Sequence, residues 1–224
     1  MSLQDAIRKL AHDAVKNFVK PDQVVGLGSG STAAIIVREM VGLDFKETLH
    51  CVPTSLQIKI EAEKSGLRFA DESQIPNIDV VFDGADQIDA GLNMIKGGGG
   101  ALLREKILIS SAKKVVIAAD ESKFVASFSR SVPVEVHPLA RTAVAKKLAQ
   151  SGGQPALRTL DKGYPFVTEN GNIILDTMFV SIPDPRKTEM DLKNIAGVME
   201  VGLFTRKADV YYRAKNDGTF EIVK

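Results

Sequence analysis

The chain has 224 residues, 44% hydrophobic and 25% charged, the make-up of an ordered globular protein with room for one large core or a core and a smaller lobe. Its 29 Lys and Arg balance 28 Asp and Glu, so charge gives no reason to expect nucleic acid or an anionic membrane as partner. The single cysteine, Cys51, precludes an internal disulfide and fits a reducing, cytoplasmic compartment.

At the N-terminus Leu3, Ile7, Leu10, Ala14 and Phe18 recur at helical spacing with Asp5, Arg8, Lys9 and Asp13 between them, which predicts an amphipathic helix unlike a signal peptide. No apolar run reaches the roughly 20 residues of a membrane span. Residues 23–27 read as a short buried strand. The glycine turn Gly26-Leu27-Gly28-Ser29-Gly30-Ser31-Thr32 then opens a helix over 31–40. A strand at 49–52, a helix at 55–64, a strand at 68–70 and the run Ile78-Asp79-Val80-Val81-Phe82 continue the alternation. Such alternation predicts a mainly parallel sheet covered on both faces.

The turn Asp83-Gly84-Ala85-Asp86 follows, then Lys96-Gly97-Gly98-Gly99-Gly100, a helix over 101–111, and a strand at 114–119 ending in Asp120-Glu121-Ser122-Lys123. All four loops fall at carboxyl ends of expected strands, where open α/β sheets bind ligands. From about residue 131 the order becomes strand 132–136, helix 139–150, strands 155–158 and 173–176, helix 188–195 and strand 198–203. That is the split β-α-β-β-α-β of a ferredoxin-like lobe. The tail, 208–212 and 219–223 around Asn216-Asp217-Gly218, reads as a hairpin returning to the first domain. The expected fold is therefore a Rossmann-like α/β domain of residues 1–130 with 204–224, carrying an inserted, smaller ferredoxin-like α+β domain of residues 131–203.

The Gly26 turn departs from the dinucleotide pattern, whose third glycine would fall at Ser31, and from the P-loop, which needs a lysine before Ser31-Thr32. It is either a hydroxyl-rich cradle for one phosphate monoester or a strand-to-helix turn with capping hydroxyls. Asp83 and Asp86 serve either as turn and cap residues or as a paired set that binds sugar hydroxyls and moves protons among them. An EF-hand is excluded by Ala85 and Gln87 at positions that need ligands. Lys96 and Glu105 form the sharper pair: taken singly each reads as solvated surface charge, taken together they read as an electrophile before the glycine run and a base in the helix behind it. With a helix starting near Gly99 or Gly100, Glu105 stands one and a half turns in, its side chain directed back toward the loop. His12, His50 and His137 lack metal-ligand spacing, Cys51 reads as core, and Tyr164, Tyr211 and Tyr212 are too few for a base-stacking platform.

Taken together, Gly28-Ser29-Gly30-Ser31-Thr32, Asp83-Gly84-Ala85-Asp86, Lys96-Gly97-Gly98-Gly99 with Arg104-Glu105-Lys106, and Ala119-Asp120-Glu121-Ser122-Lys123 resemble ribose-5-phosphate isomerase of the A type. Pro133-Val134-Glu135-Val136, Gly171-Asn172-Ile173-Ile174-Leu175-Asp176 and the run from Gly197 to Phe204 extend the resemblance over nearly the whole chain. Gln87 stands where the family often has Glu, and Ser29 where Thr is common.

The resemblance implies interconversion of ribose 5-phosphate and ribulose 5-phosphate through an enediolate, in the non-oxidative pentose phosphate pathway, with no metal or redox cofactor. It implies that Glu105 is the base, that Asp83 or Asp86 assists ring opening, and that Lys96 stabilises the enediolate. Ser29, Gly30, Ser31 and Thr32 hold substrate, Ser31 and Thr32 at the phosphate. Asp83, Gly84, Ala85, Asp86, Lys96, Gly97, Gly98 and Gly99 line the sugar, Lys123 is a substrate-binding cation, and Arg8 joins at the phosphate. A homodimer or homotetramer is implied as well. The rivals are a sugar-phosphate sensor, for which the chain lacks room for a DNA-reading module, and a nicotinamide-dependent dehydrogenase, which the missing third glycine disfavours.

Overall fold

The computed structural model describes residues 2–224. It divides into two compact units, one of Met1–Ala85, Arg104–Phe124 and Ala208–Lys224, the other of Asp86–Leu103 and Val125–Lys207. The chain leaves the first unit twice, so residues 86–103 group with the smaller lobe.

In chain order the elements are α1 (Leu3–Phe18), β1 (Val24–Leu27), α2 (Ser31–Glu39), β2 (His50–Pro53), α3 (Leu56–Lys64), β3 (Arg68–Phe69) and β4 (Val80–Asp83). Then come β5 (Gln87–Ile88), β6 (Met94–Ile95), α4 (Leu102–Ser111), β7 (Lys114–Asp120), β8 (Val132–Val136), α5 (Arg141–Gln150) and β9 (Gly153–Leu157). The last are β10 (Ile173–Phe179), α6 (Pro185–Lys193), β11 (Val198–Val201), β12 (Leu203–Phe204), β13 (Val210–Ala214) and β14 (Phe220–Ile222).

In the first unit, seven strands form one sheet in the order β14-β13-β7-β4-β1-β2-β3. All neighbours are parallel except the closing β13–β14 hairpin. Alternate residues sort between the faces. Val25, Leu27, Val80, Phe82, Val116 and Ala118 share one core cluster with α1, α2 and α3, through Leu10, Ile36 and Ile58 among others. Gly26 and Val81 occupy the opposite register; a Cβ on Gly26 would press on Val81 and stand 3.4 Å from Leu108 of α4. α1 begins with a capping box, in which Ser2 and Asp5 satisfy each other's backbone N–H groups. Because β1, β4 and β7 run parallel, the turns after Leu27, Asp83 and Asp120 all leave the same edge of this sheet.

In the second unit the antiparallel order β11-β8-β10-β9, with α5 and α6, is the ferredoxin-like arrangement expected from sequence. Val132, Val134 and Val136 pack with Val144, Leu148 and Leu192 on its helical face. A small sheet, β12-β6-β5, completes the unit. The single strand expected over 198–203 is two. At Gly202 the N–H donates to Pro133 O (2.7 Å) while the carbonyl accepts from the Lys96 N–H (2.9 Å), so β11 stays with β8 and β12 crosses to β6. α6 starts at Pro185, three residues before the expected start at Thr188, because the Asp184 carboxylate caps it. Among the described residues no helix is long and apolar enough to cross a membrane.

Cys51 lies fully buried in β2, and that burial pushes its thiol from 9.0 up to about 12. The native protein should therefore be inert to a thiol-specific disulfide reagent at pH 8 and release one thiol per chain on denaturation; rapid native reaction would show the thiol accessible. Since the folded chain holds this proton to higher pH than the unfolded chain, stability present below pH about 9 falls as pH rises toward 12.

Candidate active site

In the first unit, the turn between β1 and α2 is fastened at both ends. Gly28 N–H donates to Phe82 O (2.7 Å), and Gly30 N–H to Gln57 Oε1 (3.2 Å). Ser29 Oγ pairs with Thr54 Oγ1 (2.8 Å) and donates to Ser55 Oγ (3.0 Å), while Thr54 Oγ1 donates to Leu27 O (3.0 Å). Gly30 has φ 91° and ψ −175°, a conformation that an L side chain rarely adopts, and it stands at the N-cap of α2. Among the described residues no side chain caps this helix, which leaves its first N–H groups available to an anion beside the Ser31 and Thr32 hydroxyls.

Asp83 ends β4 and is 1% exposed; its Oδ1 accepts from the Gly84 N–H (2.8 Å). Gly28 lies so close that a Cβ there would overlap the Asp83 carboxylate, so the first turn and this aspartate are fitted to each other. Glu105 is 5% exposed. α4 begins at Leu102, not at Gly99 or Gly100, which puts Glu105 at the end of its first turn, where the helix's N-terminal field favours a carboxylate. Lys123 closes a short 3₁₀ turn, Glu121–Lys123, in which the Asp120 carboxylate accepts from the Ser122 N–H (3.0 Å) and Asn216 N–H donates to Glu121 Oε1 (3.1 Å). Next to it, the Arg213 guanidinium lies 4.1 Å from the Phe124 ring centroid. Arg8 stands on the exposed side of α1, in a recess of about 510 Å³ with Lys9, His12, Asp13, Glu39 and Phe220. Among the described residues no hydrogen bond ties it to the Gly28–Thr32 turn.

In the second unit, Asp86 and the glycine run are joined directly. Asp86 N–H donates to Ile95 O (2.8 Å), and Asp86 Oδ2 accepts from the Gly98 N–H (2.8 Å). A Cβ on Gly98 would stand 2.7 Å from Asp86 Oδ1, so only glycine permits this approach. Lys96 is 3% exposed, with Nζ 5.5 Å from the Phe204 ring centroid, a cation–π contact that helps hold its charge away from water. Gly100 N–H closes a turn on Gly97 O (3.0 Å) before α4 begins.

Sequence reading missed Thr54, Ser55 and Gln57, which brace the first turn from the β2–α3 connection. The signal was the Pro53-Thr54-Ser55 step from strand to helix, but its partner lies some 25 residues earlier in the chain. Gln87, noted as a departure, is 6% exposed and uses both ends of its amide: Nε2 donates to Ser129 Oγ (2.7 Å), and Oε1 accepts from the Ser129 (2.9 Å) and Arg130 (3.0 Å) N–H groups. A carboxylate lacks the donor for the first of these. Among the described residues no group of three or more His, Cys, Asp or Glu side chains is placed to hold a metal ion.

The chain matches the family described as ribose 5-phosphate isomerase A (phosphoriboisomerase A) over residues 50–218. It is 41% identical over 219 residues to ribose-5-phosphate isomerase A of Methanosarcina acetivorans, covering 96% of this chain and 93% of the relative. It is 39% identical over 230 residues to ribose-5-phosphate isomerase of Dictyostelium discoideum, covering 99% of each. Among solved structures, ribose 5-phosphate isomerase A of Methanocaldococcus jannaschii superposes with a TM-score of 0.92 at 37% identity over the full length of both chains. A D-ribose-5-phosphate isomerase in complex with phospho-erythronic acid does so with a TM-score of 0.92 at 34% identity, again over 100% of both.

Proposed function

The chain belongs to the ribose 5-phosphate isomerase A family and, as an aldose–ketose isomerase, interconverts D-ribose 5-phosphate and D-ribulose 5-phosphate; we propose that Glu105, Lys96, Asp83 and Asp86 carry the chemistry through a cis-enediolate. The observation that carries this reading is burial. Asp83, Lys96 and Glu105, three ionisable residues of the motifs that carry the resemblance, are only 1%, 3% and 5% exposed. Proteins rarely bury such groups unless they are paired or functional.

In the open-chain sugar, Glu105 takes the proton on C2, the C1–C2 double bond forms, and O1 takes the negative charge. A proton passes from O2 to O1, with Asp83 and Asp86 as its carriers, and Glu105 returns its own proton to C1. Lys96 stabilises the oxyanion, an effect worth about 3 kcal/mol for one preorganised donor. The uncapped start of α2, with Ser31 and Thr32, receives the phosphate, which positions the chain without reacting. Ser29 and Gly30 shape that turn; Gly84, Ala85, Gly97, Gly98 and Gly99 line the sugar; Lys123 and Arg8 supply cations. The reading extends to a cytoplasmic homodimer or homotetramer, supported by the lone buried thiol for the compartment and by family resemblance for the assembly.

The test is ketose formation from ribose 5-phosphate by purified protein in EDTA, run in D₂O. Turnover unaffected by the chelator, with solvent deuterium appearing at C1 of ribulose 5-phosphate, is the expected outcome. Turnover lost with the chelator, or wholly conservative transfer of the C2 hydrogen under all conditions, would remove the metal-free, exchangeable-base mechanism.

A further inference from the structure

Arg158, just after β9, takes no part in the motifs discussed so far, yet its guanidinium joins Asp176 to the glycine run. Its Nε and Nη2 donate to Asp176 Oδ2 (2.8 Å) and Oδ1 (2.6 Å), a two-pronged clamp from β10, while Nη1 donates to both Gly97 O (2.8 Å) and Gly98 O (3.0 Å). The pair is largely shielded from water, with side-chain exposures of 15% and 26%. The guanidinium also lies 5.7 Å from the Phe166 ring centroid, and a Cβ on Gly100 would stand 2.5 Å from the same ring. With four donor contacts already made inside the protein, Arg158 has little left to offer a ligand.

In a trans peptide the N–H points opposite to the preceding C=O. Holding Gly97 O therefore turns the Gly98 N–H away from Arg158, and that N–H is the one found on Asp86 Oδ2 (2.8 Å). Holding Gly98 O turns the Gly99 N–H away from Arg158 in the same manner. No acceptor for this N–H stands among the described residues, and nothing lies within 4 Å of the place a Gly99 Cβ would take. We propose that Arg158, locked by Asp176, is a positioning residue that fixes the two peptide planes of Gly97–Gly99 so that the Gly99 N–H is preset as a donor to the enediolate oxygen. The proposal rests on the isomerase reading above. A glycine run has the widest choice of backbone conformations, so an external clamp is the way to keep such a donor aimed before substrate arrives.

The experiment compares wild type with Arg158→Lys, Arg158→Gln and Asp176→Asn, reading kcat, KM for ribose 5-phosphate and inhibition by phospho-erythronic acid, whose carboxylate stands in for the enediolate oxygens. Misplacing a catalytic donor by about 1 Å can cost about 100-fold, so Arg158→Gln is expected to lower kcat by about 30-fold or more, with KM changed less than about threefold and inhibitor affinity falling with kcat. Asp176→Asn, which removes the charge that locks the fork, should lose less, and the double variant should lose no more than Arg158→Gln alone. Arg158→Lys, which can reach one carbonyl but not two, should regain only part. A folded Arg158→Gln enzyme with kcat within threefold of wild type overturns the proposal, as does a loss expressed in KM alone. Wild-type turnover in the same assay keeps a failure of this proposal distinct from a failure of the isomerase reading.

Discussion

Glu105→Gln is expected to lower kcat by about 1,000-fold or more, about 4 kcal/mol of transition-state stabilisation, while KM for ribose 5-phosphate and the affinity for phospho-erythronic acid stay within about threefold. The exchange keeps the shape of a side chain that is 5% exposed in the first turn of α4, so its main effect is to remove the carboxylate proposed to take and return the carbon-bound proton. An amide has no useful basicity at neutral pH, and no group elsewhere on α4 replaces it. Arg104 and Lys106, its neighbours in sequence, are cations and unfit for the role. Because the substitution is isosteric, the thermal midpoint should move by no more than about 4 °C. Steady-state kinetics with a calorimetric melt separates the outcomes. A folded variant with near-normal kcat would show that another group abstracts the proton, and a loss confined to KM would make Glu105 a binding residue.

The proposed base could be picked out in the sequence because its ingredients are local: a glycine run, then a carboxylate a short way into a helix. The fold was legible to a similar depth for the same reason. α1 announces itself through Leu3, Ile7, Leu10, Ala14 and Phe18, of which Ile7, Leu10 and Ala14 are buried and the two ends half-buried, and the continuous apolar runs of β1, β4 and β7 read as strands buried on both faces. The sheet order was not legible, since β4 inserts between β1 and β7 by choice of crossover, which no local pattern encodes. The small sheet was invisible because β5 and β6 have two residues each, too short for a period to register. Non-local hydrogen bonds were hidden as well. Ser29 meets Thr54 only because β1 and β2 are parallel neighbours, and Arg158 meets Gly97 only after the β9–β10 pairing places its backbone. The resemblance supplied the site residues. What physical chemistry adds is the set of braces that hold them, and those come from residues distant in sequence.

Gly28→Ala tests one such brace and is expected to cost about 100-fold in kcat/KM although it adds a single methyl group and removes no functional side chain. The new Cβ would overlap the Asp83 carboxylate and stand only 2.7 Å from the Asp83 Cβ. Neither side can yield cheaply. Gly28 is tied by its N–H to Phe82 O (2.7 Å), and Asp83 is the last residue of a central strand paired on both sides, with its carboxylate on the Gly84 N–H (2.8 Å). Overpacking of this kind costs about 1–3 kcal/mol, and at the upper end the thermal midpoint falls by about 6 °C or more. Gly42→Ala is the control, since its Cβ meets nothing within 4 Å, and it should leave both activity and melting unchanged. The decisive comparison is Gly28→Ala with Asp83→Ala in one chain. Shortening Asp83 removes the clash with its carboxylate and leaves only the 2.7 Å approach to its Cβ, so the double variant should recover part of the lost stability relative to Gly28→Ala while remaining inactive. Recovery of stability without activity separates the steric role of Gly28 from the chemical role of Asp83; a Gly28→Ala enzyme with wild-type kcat/KM would mean that the carboxylate can move without consequence and is not a proton carrier.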